Sequence, residues 1–119
     1  WHVLVIDDDL GPRAIVSRFL RRDGHTVETA TTGPEGLEKL SEMDFDLVVT
    51  DRAMPGMNGD EVARRVKTSH PGIPVILLTG FGDIMNYNDD FPEYVDKIVP
   101  KPVTAEEFRL AAFQVMNDG

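Results

Sequence analysis

Val3-Leu4-Val5-Ile6-Asp7-Asp8-Asp9 decides how this chain reads. Four apolar residues run without interruption into three aspartates. A short, continuously apolar run suits a strand covered on both faces, as in a parallel sheet. Its abrupt end in acid places carboxylates at the carboxyl end of that strand. The pattern recurs along the chain. Phe45-Asp46-Leu47-Val48-Val49-Thr50 runs into Asp51, and Pro74-Val75-Ile76-Leu77-Leu78 into Thr79. Val95 to Val99, with a polar interruption at Asp96-Lys97, leads to Lys101-Pro102. Thr26 to Ala30 is less apolar and reads as an edge strand.

Longer amphipathic stretches separate these runs. Residues 11–22 carry Ala14, Ile15, Phe19 and Leu20 at helical spacing, with Asp9 as N-cap and Gly24 as a left-handed terminator. Thr32-Gly33-Pro34-Glu35 opens a second helix holding Leu37 and Leu40, and a third runs from about Asp60 to Lys67. Gly80 to Tyr94 holds Gly80, Gly82, Asn86, Asn88 and Pro92, which predicts a short or irregular fourth helix. Phe81 to Pro92 is expected to be mobile and open to ordering by a partner. Thr104 caps a last helix, with Glu107 three positions on and Phe108, Ala111, Ala112 and Val115 as its apolar stripe. Five strands alternating with five helices predict one doubly wound α/β domain over residues 1–119, a parallel sheet with helices on both faces. In such sheets the ligand site lies at the carboxyl ends of the strands.

Composition narrows the function classes. The chain has 119 residues, net charge −9 and no cysteine. Disulfides and Cys-ligated metal centres are excluded, and the absence fits a cytoplasmic protein. An acidic surface repels nucleic-acid phosphates, so direct nucleic-acid binding is not expected. No apolar run approaches the roughly 20 residues that span a bilayer, so no membrane insertion is expected. Trp1-His2-Val3 has neither a basic leader nor an initiator Met, and the chain reads as a piece of something larger.

The topology gathers Asp7, Asp8, Asp9, Asp51, Thr79 and Lys101 at one sheet edge. Taken singly, each has a bland role: Asp9 a helix cap, Asp7 and Asp8 caps or turn residues, Thr79 a strand end, Lys101 a solvated cation. Those roles do not predict convergence on one edge. Clustered carboxylates repel unless a cation intervenes, and hard oxygen ligands with open positions suit Mg2+. Asp7, Asp8 and Asp51 are the candidate ligands. A carboxylate can also attack phosphorus and form an aspartyl phosphate. Lys101 and Thr79 could neutralise and hydrogen-bond a phosphoryl group.

Along nearly its whole length the chain resembles a response-regulator receiver domain of the two-component, CheY-like superfamily. The resemblance is carried by Val3–Asp9, by Asp51 with Met54-Pro55-Gly56-Met57-Asn58-Gly59, by Leu78-Thr79-Gly80 and by Lys101-Pro102. The spacings of 44, 28 and 22 positions between Asp7, Asp51, Thr79 and Lys101 also match. The resemblance implies strand order 2-1-3-4-5 and Asp51 as phosphoacceptor, charged from the phosphohistidine of a histidine kinase or histidine phosphotransfer domain. It implies Mg2+ (or Mn2+) held by Asp7, Asp8, Asp51 and the backbone carbonyl of Ala53. Thr79 and Lys101 would engage the phosphoryl group, and the Lys101–Pro102 bond is often cis in the family. The chain would be a regulatory switch and not an enzyme, with strands four and five and the last helix as output face and homodimer surface. Ile98 departs from the aromatic residue usual there, which leaves the coupling to Thr79 open. Ala53 and Gly80 are small and leave the acceptor accessible to water, which predicts no unusually long phosphoryl lifetime.

Three other readings remain. A flavin or nucleotide binder on this fold needs glycines or hydroxyls where Asp7-Asp8-Asp9 stands. A haloacid-dehalogenase-like phosphatase would use the Asp7/Asp9 spacing, but needs a longer chain and leaves Asp51 idle. An interaction module regulated without phosphate has no use for the full acidic set, Thr79 and Lys101.

Overall fold

The computed structural model describes residues 1–80 and 93–117. The apolar runs form one sheet of five parallel strands in the order β2-β1-β3-β4-β5. They are β1 (His2–Ile6), β2 (Thr26–Ala30), β3 (Leu47–Asp51), β4 (Val75–Thr79) and β5 (Lys97–Pro100). The described helices are α1 (Leu10–Arg22), α2 (Gly33–Glu42), α3 (Gly59–Ser69) and α4 (Ala105–Asn117). The fourth helix read between Gly80 and Tyr94, and the mobility expected there, fall on residues 81–92, outside the described residues.

Each crossover strand serves both layers. Val3, Val5, Leu47, Val49, Ile76 and Leu78 pack with α1 and α4 around Phe108. Leu4, Ile6, Val48, Val75 and Leu77 pack the other face with Val62, Ala63 and Val66 of α3 and Leu40 of α2. This double coverage is why the strands are continuously apolar. Each fully buried Val, Leu or Ile contributes about 1.5–3 kcal/mol relative to exposure. Strand alternation brings Asp51 out on the face of Leu47 and Val49.

Local chemistry sets most helix starts. The Asp9 carboxylate accepts from the Gly11 amide at 3.2 Å. Thr32 Oγ1 accepts from Glu35 N at 3.2 Å, and Thr104 Oγ1 from Glu107 N at 3.2 Å. Gly24 has φ +90° after α1 and fills the left-handed position expected of it.

Three elements differ from the sequence reading by two residues at one end. β3 begins at Leu47, not Phe45, because Asp46 is spent on His2: its amide donates to the His2 carbonyl and its carboxylate accepts from the His2 amide. Phe45 instead stacks against the His2 ring. β5 begins at Lys97, not Val95, because Asp96 turns its carboxylate to the Val75 amide at 2.8 Å and to Lys67 at 2.7 Å. α3 begins at Gly59, capped by Asn58, whose Oδ1 accepts from Glu61 N at 3.0 Å, and it runs on to Ser69.

Candidate functional site

The carboxyl ends of β1, β3 and β5 converge on an open cleft lined by Asp8, Asp9, Leu10, Asp51, Ala53, Gly80 and Lys101. β1 pairs directly with β3, so Asp7 and Asp51 end adjacent strands. One carboxylate oxygen from each of Asp7, Asp8 and Asp51 lies within 4.8 Å of the others. Asp7 and Asp51 are buried and Asp8 is exposed.

Asp7 is held from several sides. Its amide donates to the Ala30 carbonyl at 3.0 Å. Its Oδ1 accepts from the Asp9 amide at 2.9 Å, and its carbonyl accepts from Arg13 Nη1 at 2.9 Å. Its other oxygen, Oδ2, is fully enclosed with no hydrogen bond among the described residues. Lys101 Nζ approaches that oxygen to 3.4 Å and Asp51 Oδ1 to 2.7 Å. Burial pushes the Asp7 carboxyl above its usual range, and the Asp51 charge pushes the same way. Burial alone would lower the Lys101 ammonium, but its contacts with Asp51 and Asp7 outweigh that and hold it above its ordinary value.

Turn geometry follows the strand end at Asp51. The Met57 amide donates to the Pro55 carbonyl at 3.1 Å across Gly56, whose φ of +83° suits glycine. The Gly59 amide then returns to the Arg52 carbonyl at 2.9 Å. A side chain at Gly59 would strike the Asp51 carbonyl, Leu77 Cδ1 and the Arg52 Cα. Only glycine lets α3 start this close to Asp51.

The structure thus brings together Asp7, Asp8, Asp51 and Lys101. Ala53 lines the same cleft. Thr79 stands one position past Leu78, the register partner of Asp51, with its hydroxyl buried and without a partner among the described residues. Its carbonyl accepts from the Lys101 amide at 2.7 Å. The Lys101–Pro102 bond is cis. Asp9 serves as the α1 cap expected of it. Ile98 is half-buried on β5, opposite Leu77. The sequence reading passed over Arg13. Its only signal is position: six residues past Asp7, in the second turn of the helix that follows it.

The donor set fits a hard divalent cation. It offers three carboxylates, one of them with a buried, unbonded oxygen. Among the described residues no helix is long and apolar enough to cross a membrane.

Residues 3–113 match the family model described as "Response regulator receiver domain". The chain is 33% identical over 117 residues to the transcriptional regulatory protein GlrR of Escherichia coli K12, covering 98% of this chain and 26% of GlrR. It is 39% identical over 101 residues to AfsQ1 of Streptomyces coelicolor, covering 85% of this chain and 44% of AfsQ1. It thus spans a quarter to a half of these relatives. Among solved structures, a response regulator receiver domain protein from Clostridium thermocellum superposes with TM-score 0.88 at 34% identity, over 98% of this chain and 94% of that one. Response regulator TrrA from Thermotoga maritima, solved in complex with Mg(2+)-BeF, gives TM-score 0.84 at 30% identity, over 96% and 97%. With its 2-1-3-4-5 sheet and its acidic cleft, the chain belongs to the response regulator receiver domain family of two-component signal transduction.

Proposed function

We propose that Asp51 is the phosphoacceptor of this receiver domain, charged from the phosphohistidine of a histidine kinase or histidine phosphotransfer domain. The observation that carries the proposal is the Lys101 ammonium 2.7 Å from the Asp51 carboxylate, beside Asp7 and Asp8. Asp7, Asp8, Asp51 and the Ala53 carbonyl would hold Mg2+ or Mn2+. When bound, the ion neutralises charge on the phosphoryl oxygens during transfer.

The Asp51 oxygen attacks phosphorus as the P–N bond breaks, and the imidazole nitrogen keeps the bonding electron pair. Lys101 leaves its ion pair to bind a phosphoryl oxygen. Thr79 turns its hydroxyl to another. Burial of Asp7 and Asp51 lowers the local dielectric and strengthens both contacts. The chain assists its own phosphorylation and dephosphorylation but turns over no separate substrate. Phosphorylation biases a pre-existing equilibrium between conformers. Leu110 of α4 is exposed, which supports an output or homodimer face on β4, β5 and α4. The net charge of −9 argues against direct nucleic-acid binding. We place the domain in the cytoplasm, where its kinase partners transfer phosphate, as one unit over residues 1–119.

Intact-protein mass after incubation with acetyl phosphate tests this reading. A gain of one phosphoryl group that requires Mg2+ and vanishes in Asp51→Asn supports it. No gain under any condition overturns it and favours the phosphate-independent interaction module.

A further inference from the structure

We propose that Arg13 is a positioning residue for the cation site, acting on Asp8 through the backbone; the inference rests on the metal assignment above. Asp8 is the exposed ligand of the three. Its direction is set by the peptide planes on either side. The Asp8–Asp9 plane is fixed by the Asp9 amide donating to Asp7 Oδ1 at 2.9 Å. The Asp7–Asp8 plane is fixed at its oxygen by Arg13 Nη1, also at 2.9 Å. The Arg13 amide reaches the Asp9 carbonyl at 3.2 Å. One residue of α1 thus grips the acidic loop ahead of Asp8 with its side chain and behind it with its backbone. Ser17 Oγ anchors the Arg13 carbonyl in turn, at 2.7 Å.

Two effects of the guanidinium on a cation oppose each other. Its charge repels the ion, so its removal would tighten binding. Its hydrogen bond orients a ligand, so its removal would weaken binding. Loss of a group that orients metal ligands costs on the order of tenfold or more in affinity. A half-buried cation that acts through a carbonyl, with Glu35 nearby to offset its charge, repels far less. Positioning therefore wins, and the sign of the effect separates the two roles.

The test is a Mn2+ titration of the whole chain, following the free-ion electron paramagnetic resonance signal. Arg13→Ala keeps the backbone bond and a good helix former, so α1 stays folded. Its Mn2+ Kd is expected to rise on the order of tenfold. Arg13→Lys, which retains a donor, recovers most of that loss. In acetyl phosphate labelling, the half-saturating Mg2+ concentration rises by the same factor while the rate at saturating Mg2+ is unchanged. Unchanged or tighter Mn2+ binding in Arg13→Ala overturns the proposal. So does a lowered saturated rate with an unaltered Kd. A native chain that binds no Mn2+ overturns it together with the metal assignment. A native chain that binds Mn2+ but takes no phosphoryl group sinks only the acceptor reading, and Arg13 is then judged on the titration alone.

Discussion

The Lys101 ammonium sits 2.7 Å from one carboxylate oxygen of Asp51, joining the end of β5 to the end of β3 across β4. The same nitrogen is 3.4 Å from Asp7, so one cation stands between two buried acids. Replacing it with a neutral side chain of similar length leaves both acids uncompensated. Lys101→Met should lower stability by about 2 kcal/mol at neutral pH, a discounted figure because the ammonium is partly solvated. Added Mg2+ should restore part of it. The Lys101 pKa is raised on folding, so its contribution is complete below about 10.5 and fades as pH climbs through the higher folded value. Urea unfolding of both chains checks this, and coincident midpoints at neutral pH would contradict it.

Asp7 behaves in the opposite sense to most carboxylates. Its pKa is raised by burial, so the folded chain binds its proton more tightly than the unfolded chain does. Above the folded pKa, Asp7 carries a fixed cost. As pH falls through that value toward 3.8, the cost disappears. Asp7→Asn should therefore stabilise the metal-free chain by about 1 kcal/mol at neutral pH. The advantage should shrink as pH approaches 4, and cation binding should be lost. Denaturant midpoints from pH 7 to pH 4 decide the matter, and a variant less stable than the native chain at pH 7 counts against it.

Gly59→Ala tests the close approach beneath Asp51. The new methyl would lie 2.6 Å from Leu77 Cδ1 and 2.8 Å from the Arg52 Cα, with the Asp51 carbonyl nearer still. Overpacking of this kind costs about 1–3 kcal/mol. Because the strain falls on the Asp51 backbone, labelling by acetyl phosphate should slow as well. A variant with native stability and native labelling would falsify the packing argument.

Asn58 caps the helix that leaves the loop after Asp51. Asn58→Ala should cost about 1 kcal/mol, and Asn58→Asp or Asn58→Ser should recover most of it. Thermal denaturation of the three variants reads this out. Equal losses in all three would point to a contact other than the cap.

The sheet was legible because burial on two faces writes itself as unbroken apolar runs. Val3–Ile6 and Val75–Leu78 left little choice of structure. Strand starts were less legible, because they depend on contacts far away in sequence. Phe45 looked like strand until Asp46 paired with His2, and Val95 until Asp96 reached the Val75 amide. Asp7, Asp8, Asp51 and Lys101 were readable as a set, since each follows an apolar run. Arg13 was not, because an arginine on a helix carries no mark of which carbonyl its side chain will find. The enclosed Oδ2 of Asp7 is likewise a product of packing, with no signal in composition.

The cleft takes its parts from three separate strand ends, and they are spread along the chain from Asp7 to Lys101. A growing nascent chain exposes Asp51 while Lys101 is still unmade. Until β5 slots in beside β4, the acids lack the Lys101 ammonium between them. If Asp51 is the phosphoacceptor, competence to receive a signal is thus conferred only once β5 and Lys101 have been made.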